Sequence, residues 1–538
     1  MSSNKFKAPR DLIPDNFGAN LSRHDFPDGF LFGAATSAYQ VEGAYDDGRR
    51  GLANWDAWSL LRPGKVVDGG NGCVAIDHYN LVKEDVKLMK KLGIDFYRFS
   101  IAWTRILPGG RLSSGLNREG VRFYNQLIDM LLAEGIEPVV TIFHFDVPKV
   151  LEDEYSGFLD RRILKDYAEY AQVCFFEFGD RVKFWVTVNE PSTYTTLGYI
   201  TGTFPPGHGA SHEDLGLNVL KHRHTRKIDQ TIHGGDASTE PYLVAHHLIL
   251  AHAIAVDIYR RKYQALQGGK IGIVTAINWY MPYSDKPEDV AATGRAIDFV
   301  LGWYLQPLVS GEYPESMRER VGDRLPVFSQ EEKELVKGSF DFIGLNYYTS
   351  NWAAYKAKKL GDPTNYYTDQ EVEFYTKRGD VEIGPKAGSD WLHVVPLGIY
   401  QLLTYAKKQF NDPVIYVTEN GTDEKNDRTQ PLARLLEDNK RIEYHQQHLA
   451  YVKQAIEEGV NVKGYTVWAL FDNYEWAEGY SVRFGMYYVD YINGLTRYPK
   501  NSAIWFMNFL NKKVIARPKQ RQIEDAKEDK AAKRKRHL

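Results

Sequence analysis

Val414-Ile415-Tyr416-Val417-Thr418-Glu419-Asn420-Gly421 is a run of β-favouring residues that ends in a carboxylate, with an Asn-Gly pair directly after it. As a buried strand it sets Glu419 at a C-terminal strand end, on rigid backbone beside a pocket. A single Glu in such a place is commonly no more than a solvated loop residue. A second stretch changes the reading: Phe184-Trp185-Val186-Thr187-Val188-Asn189-Glu190-Pro191 is again apolar up to a Glu, and Pro191 is expected to stop the strand. Two carboxylates facing each other are what cleavage of a glycosidic bond requires. One protonates the leaving oxygen and the other attacks or stabilises the anomeric carbon. More than two hundred residues separate the two, so only a closed fold can bring them together.

Outward from these stretches, strand-like runs alternate with amphipathic helical segments along the whole chain. Strands are expected at Phe30–Ala35, Asp95–Ser100, Val139–Phe143, Phe184–Glu190, Lys270–Val274, Phe342–Leu345, Val414–Glu419 and Val462–Val467. Helical periodicity fills the intervals, with Gly93 and Gly135 as stop signals. Eight strands with helical connections predict an α/β fold of the (β/α)8 TIM-barrel type, a single domain with long loops on its catalytic face. In this architecture the site lies at the C-terminal strand ends. Gln40, Arg98, His144, Asn189, Glu190, Tyr348, Glu419 and Trp468 all follow strands and are expected to converge there. Gly202–Pro241 and Asn351–Trp391 interrupt the rhythm and are expected as long loops walling the pocket mouth.

The composition is that of a globular enzyme, and the aromatic content, 13% of residues, suits either a large core or a pocket for ring-shaped ligands. Cys73 and Cys174 alone make neither a disulfide framework nor a structural zinc site, and the histidines show no ligand spacing, so no metal and no cofactor are expected. No apolar run is long enough for a signal peptide or a membrane span, which predicts a chain that is not secreted and has no membrane partner. Residues 512–538 carry eleven Lys/Arg against four Asp/Glu, a net of +7 that leaves −10 for the remainder. Lys533-Arg534-Lys535-Arg536 reads as a cluster for an import receptor, giving a nuclear location with the cytoplasm as alternative. No nucleic-acid partner is expected, since an acidic body repels phosphate.

Phe32-Gly33-Ala34-Ala35-Thr36-Ser37-Ala38-Tyr39-Gln40-Val41-Glu42-Gly43, Tyr97-Arg98-Phe99-Ser100, Thr187-Val188-Asn189-Glu190-Pro191, Asn346-Tyr347-Tyr348, Thr418-Glu419-Asn420-Gly421 and Trp468–Trp476 occur in this order. In that order they resemble the motifs of glycoside hydrolase family 1, the retaining β-glucosidases. The resemblance covers residues 25–510, with 1–24 as an N-terminal extension and 511–538 as a basic, disordered tail. It points to the plant branch acting on secoiridoid or monoterpenoid indole alkaloid glucosides such as strictosidine, raucaffricine or oleuropein.

The resemblance implies Glu190 as acid/base and Glu419 as nucleophile. Arg98, Asn346 and Tyr348 would tune the nucleophile. Gln40, His144, Asn189, Trp468, Glu475 and Trp476 would bind glucose, and Thr193, Tyr194, Trp391 and Phe484 would lie toward the aglycone or pocket edge. The family usually has His-Trp-Asp where this chain reads His144-Phe145-Asp146. The implied partner is a small-molecule β-glucoside, and a homo-oligomer is a further expected state, as among similar proteins. A transglucosidase using the same carboxylates and a non-catalytic sugar-binding relative are the alternative readings.

Overall fold

The computed structural model describes residues 9–14, 16–209 and 234–511. Among these, eight parallel strands close into a barrel: β1 (Leu31–Ala35), β2 (Phe96–Ser100), β3 (Glu137–Phe143), β4 (Phe184–Asn189), β5 (Lys270–Ala276), β6 (Phe342–Tyr347), β7 (Ile415–Asn420) and β8 (Val462–Trp468). Each neighbours the next, and β1 closes the ring on β8. All eight expected strands are present. Residues from 512 onward, including the basic cluster Lys533–Arg536, lie outside the described residues. So do 210–233, with His212, His222, His224 and His233.

The helices that follow the strands are α1 (His78–Leu92), α2 (Arg118–Ala133), α3 (Ile163–Phe178), α4 (Glu240–Tyr259), α5 (Pro287–Ile297), α6 (Leu397–Gln409), α7 (Asn439–Glu457) and α8 (Asn501–Phe509). Helix α1 stops where expected: Gly93 takes φ +82°, which favours glycine, and its N–H caps Met89 and Lys90 carbonyls. The segment Glu240–Gln267 is long and apolar enough by composition to cross a membrane, yet 83% of its apolar window is packed inside the protein. An all-round apolar helix buried this way is a core element.

Strand register sets the site. Ala35 pairs with Arg98 on one side and Trp468 on the other, and Glu419 pairs with Asn346. Strand β7 is bulged between Val417 and Glu419 against β6. A bulge re-aims the side chains beyond it, here those of the Glu419 segment. The expected long loop 351–391 is instead partly ordered. Ser350–Tyr355 pairs with Trp279–Pro282 and Val372–Tyr375 in a three-stranded sheet outside the barrel, with a short helix, Tyr366–Gln370, between its last two strands.

Candidate active site

Glu190 and Glu419 are both buried at the C-terminal end of the barrel. Glu419 receives Arg98 Nη1 on Oε1 at 2.6 Å and the Tyr348 hydroxyl on Oε2 at 2.6 Å. Both its oxygens are thus held by donors, one of them a guanidinium in a charge-assisted pair. Arg98 is itself fixed: Nη2 donates to Asn189 Oδ1 at 2.6 Å, Nε to Thr141 at 3.2 Å, and Nη1 also to the Thr418 carbonyl at 3.2 Å.

Glu190 differs in every respect. Its backbone sits at φ +44°, a strained conformation for a residue with a Cβ, and Pro191 opens the helix Pro191–Tyr199 directly after it. Pro191 therefore both ends β4 and starts a helix. The side chain accepts from Asn346 Nδ2 at 2.6 Å and faces no guanidinium at hydrogen-bond distance. Burial first, and the charge of Glu419 second, push its acid up to about 7, while Asn346, Thr193 and Arg98 work weakly against this. One pocket thus holds a carboxylate bound by a guanidinium and a second whose pKa is raised.

Asn346 departs from its expected position. Its backbone lies beside Glu419, but its amide donates to Glu190 and Asn189, and its Oδ1 accepts from Thr418 at 2.7 Å. Asn346 and Glu419 meet only in strand register, and the β7 bulge turns the nucleophile candidate toward Arg98 and Tyr348.

Around this pair, Gln40 donates to Asn473 and the Tyr474 carbonyl at 2.9 Å and to Glu475 at 3.4 Å, while Ser37 orients its carbonyl oxygen at 2.7 Å. Burial, then the charges of Asp423 and Glu419, raise Glu475 well above the ordinary carboxylate range. His144 is held neutral by burial and by Arg98, and its Nε2 lies 3.2 Å from the Asn189 amide. The His144 ring lies nearly parallel to Trp468 and Trp476, at 6.2 and 5.9 Å. Phe145 packs on Trp476 at 5.2 Å, so the position that departs from the family's His-Trp-Asp supplies apolar contact and no indole donor. His144 Nδ1 and Asp146 Oδ2 are buried without partners among the described residues.

Of the four residues expected at the aglycone side, Thr193 and Trp391 line a cavity of about 710 Å³ next to the carboxylates, and Trp391 meets Tyr348 edge-on at 5.9 Å. Phe484 lies beneath them, packed on Tyr348 at 6.0 Å and in contact with Trp468. Tyr194 does not reach the pocket. It is buried against Phe143 and Phe158, with its hydroxyl directed at Glu152 and Tyr199. Helical phase is the reason: successive residues on a helix diverge by about 100°, so Thr193 and Tyr194 cannot share a face.

Sequence reasoning missed Thr141, Thr418, Asn473 and Ser37, which orient the first contacts. Threonines inside otherwise apolar strands were the available signal. Gly421 has a packing role. A Cβ there would fall 1.8 Å from the Trp468 carbonyl oxygen, so this Gly serves a close approach of β7 to β8. Among the described residues, no group of three or more His, Cys, Asp or Glu could hold a metal ion.

A closed parallel barrel that presents one guanidinium-bound carboxylate and one of raised pKa at its C-terminal face has the fold and site of a glycoside hydrolase. The Glycosyl hydrolase family 1 model matches residues 22–515, and the chain belongs to that family. It is 54% identical over 501 residues to the oleuropein beta-glucosidase of Olea europaea, covering 91% of this chain and 90% of that one. It is 49% identical over 530 residues to the raucaffricine-O-beta-D-glucosidase of Rauvolfia serpentina, covering 97% and 98%. A rice beta-glucosidase crystal structure superposes with a TM-score of 0.86 at 45% identity, over 91% of this chain and all of that one.

Proposed function

We propose that this β-glucosidase hydrolyses, by double displacement, the β-glucosidic bond of a plant specialised-metabolite glucoside of the secoiridoid or monoterpenoid indole alkaloid type. The observation that carries the reading is the asymmetry of the two carboxylates: Glu419 bound by Arg98 and Tyr348, Glu190 buried and raised to about 7. Glu419 attacks the anomeric carbon while Glu190 gives its proton to the departing oxygen, leaving a glucosyl-enzyme and free aglycone. Esterified Glu419 has lost its charge, and with it one of the two main causes of the raised pKa of Glu190. Glu190 then ionises more readily and takes a proton from the water that releases glucose.

Gln40, His144, Asn189, Glu475 and Trp476 bind the glucose hydroxyls in this reading, and Trp468 forms the platform under the ring. Arg98 and Tyr348 hold the nucleophile, and Asn346 orients the acid. Trp391, Thr193 and Phe484 bound the aglycone side. The glucosidase names of the olive and Rauvolfia relatives support the substrate type. The test is glucose release from a panel of secoiridoid, indole-alkaloid and flavonoid glucosides, with β-glucose as the first-formed anomer. Initial release of α-glucose would refute double displacement, and predominant transfer to an added alcohol would make the enzyme a transglucosidase.

The basic cluster Lys533–Arg536 supports import into the nucleus by a receptor. A fluorescent fusion lacking residues 511–538 should be confined to the cytoplasm, and its continued nuclear accumulation would refute the import role.

A further inference from the structure

The 710 Å³ cavity is lined by Ser192 and Thr193, which follow Glu190 directly in the chain. Trp391, edge-on to Tyr348 at 5.9 Å, lies on its wall too, and the Tyr348 hydroxyl donates to Glu419. Cavities of roughly 300–1,000 Å³ take drug-sized ligands, so a simple phenol would leave most of this one empty. The sheet outside the barrel contributes part of the wall, where the Tyr280 and Phe374 rings pack on each other at 4.8 Å, an apolar surface on strand backbone.

The charges on the lining are Glu373, Lys377 and Asp390, and each already has an opposite partner. Glu373 accepts from Tyr375 at 2.6 Å and lies 3.6 Å from Lys356. Asp390 pairs with Lys386 at 2.5 Å, and Lys377 with Glu382 at 3.1 Å. The polar groups left over are all neutral. The side chains of Asn278 and Asn351 and the hydroxyl of Tyr280 make no hydrogen bond to another described residue, and buried Gln370 leaves Oε1 without a donor. A charged aglycone would lose its hydration here and find no free counter-charge, a cost that neutral oxygen functions avoid by bonding to amides and a phenol. The aromatic walls offer an ammonium some compensation, but the lining carboxylates Glu373 and Asp390 are already engaged by Lys356 and Lys386.

We propose that the aglycone this enzyme selects is uncharged, spans more than one ring, carries ester, carbonyl or hydroxyl oxygens near Asn278 and Asn351, and ends in an aryl group against Tyr280 and Phe374. This rests on the β-glucosidase reading above and narrows it to the neutral members of that substrate class.

The test uses three glucosides on one secoiridoid-type scaffold: the neutral aryl ester, the free carboxylate and an aminoethyl amide that is an ammonium at pH 6. 4-Nitrophenyl glucoside serves as reference. The expected result is a kcat/KM for the ester at least fivefold above both charged forms. Either charged form within fivefold of the ester, or above it, overturns the proposal. In the full-length double variant Asn278→Leu, Asn351→Leu, the ester-to-nitrophenyl ratio of kcat/KM should fall at least fivefold, and a smaller change overturns the assignment of those amides. Folded wild-type enzyme that cleaves no glucoside at all, the nitrophenyl reference included, defeats the underlying β-glucosidase reading instead.

Discussion

Glu190→Gln separates catalysis from stability in a way that few substitutions do. Raising a carboxylic acid from 4.5 to about 7 disfavours its ionised form by roughly 3 kcal/mol. The folded protein therefore binds a proton more tightly than the unfolded chain, and its stability falls as pH rises from 4.5 through about 7. An amide of the same shape carries no such cost. Glu190→Gln should match wild type near pH 4.5 and be more stable at pH 8, by up to roughly 3 kcal/mol.

Activity should move the other way. Wild-type kcat/KM should fall about tenfold per pH unit above about 7 as the proton is lost. In the amide variant this alkaline limb should vanish. Its loss of rate should be about 10²–10⁴-fold on glucosides with poor leaving groups and far smaller on nitrophenyl glucosides, which need little protonation. The assay is initial rates with both leaving-group types from pH 5 to 9 at constant ionic strength, beside thermal unfolding at pH 5 and 8. A persisting alkaline limb, equal losses on the two substrates, or a variant no more stable than wild type at pH 8 would each refute the assignment.

Three further outcomes follow from the same contacts. Tyr348→Phe removes a 2.6 Å hydrogen bond to an ionised carboxylate; about 1.5–3 kcal/mol is at stake, so kcat should drop by about tenfold to a hundredfold, with the fold unchanged by circular dichroism. Gly421→Ala forces a methyl to within 1.8 Å of the Trp468 carbonyl oxygen, and overpacking of about 1–3 kcal/mol should appear as a lowered Tm together with weakened binding of glucose analogues. Lys500 is fully buried and bridges Glu424 and Asp472 at 3.1 Å each, tying together the segments that follow β7 and β8. Lys500→Met should cost roughly 3–5 kcal/mol, read by thermal unfolding. Burial alone would raise Asp472, but Lys500 and Arg483 outweigh it and hold it below 3.8, so the gap between variant and wild type should narrow as pH drops below that value.

The barrel was legible in the sequence because two local periods, two for strands and 3.6 for helices, alternate along most of the chain, and because polar residues collect after the strands. Glu419 and Glu190 stood out for that reason, each closing an apolar run before a Gly or a Pro. The full set of donors that reaches each carboxylate did not. The β7 bulge gives Arg98 and Tyr348 to Glu419, and the amide of Asn346 goes to Glu190. The contrast between Thr193 and Tyr194 was hidden as well, because the helix that follows β4 sets its phase by how it packs on its neighbours.

The sheet that walls the aglycone cavity joins Trp279–Pro282, Ser350–Tyr355 and Val372–Tyr375, segments that no short-range pattern links. Local sequence thus determined which elements form and which residues stand at their ends. Which atoms meet across the pocket was decided only when the ring closed, because hydrogen-bond partners there come from strands far apart in the chain.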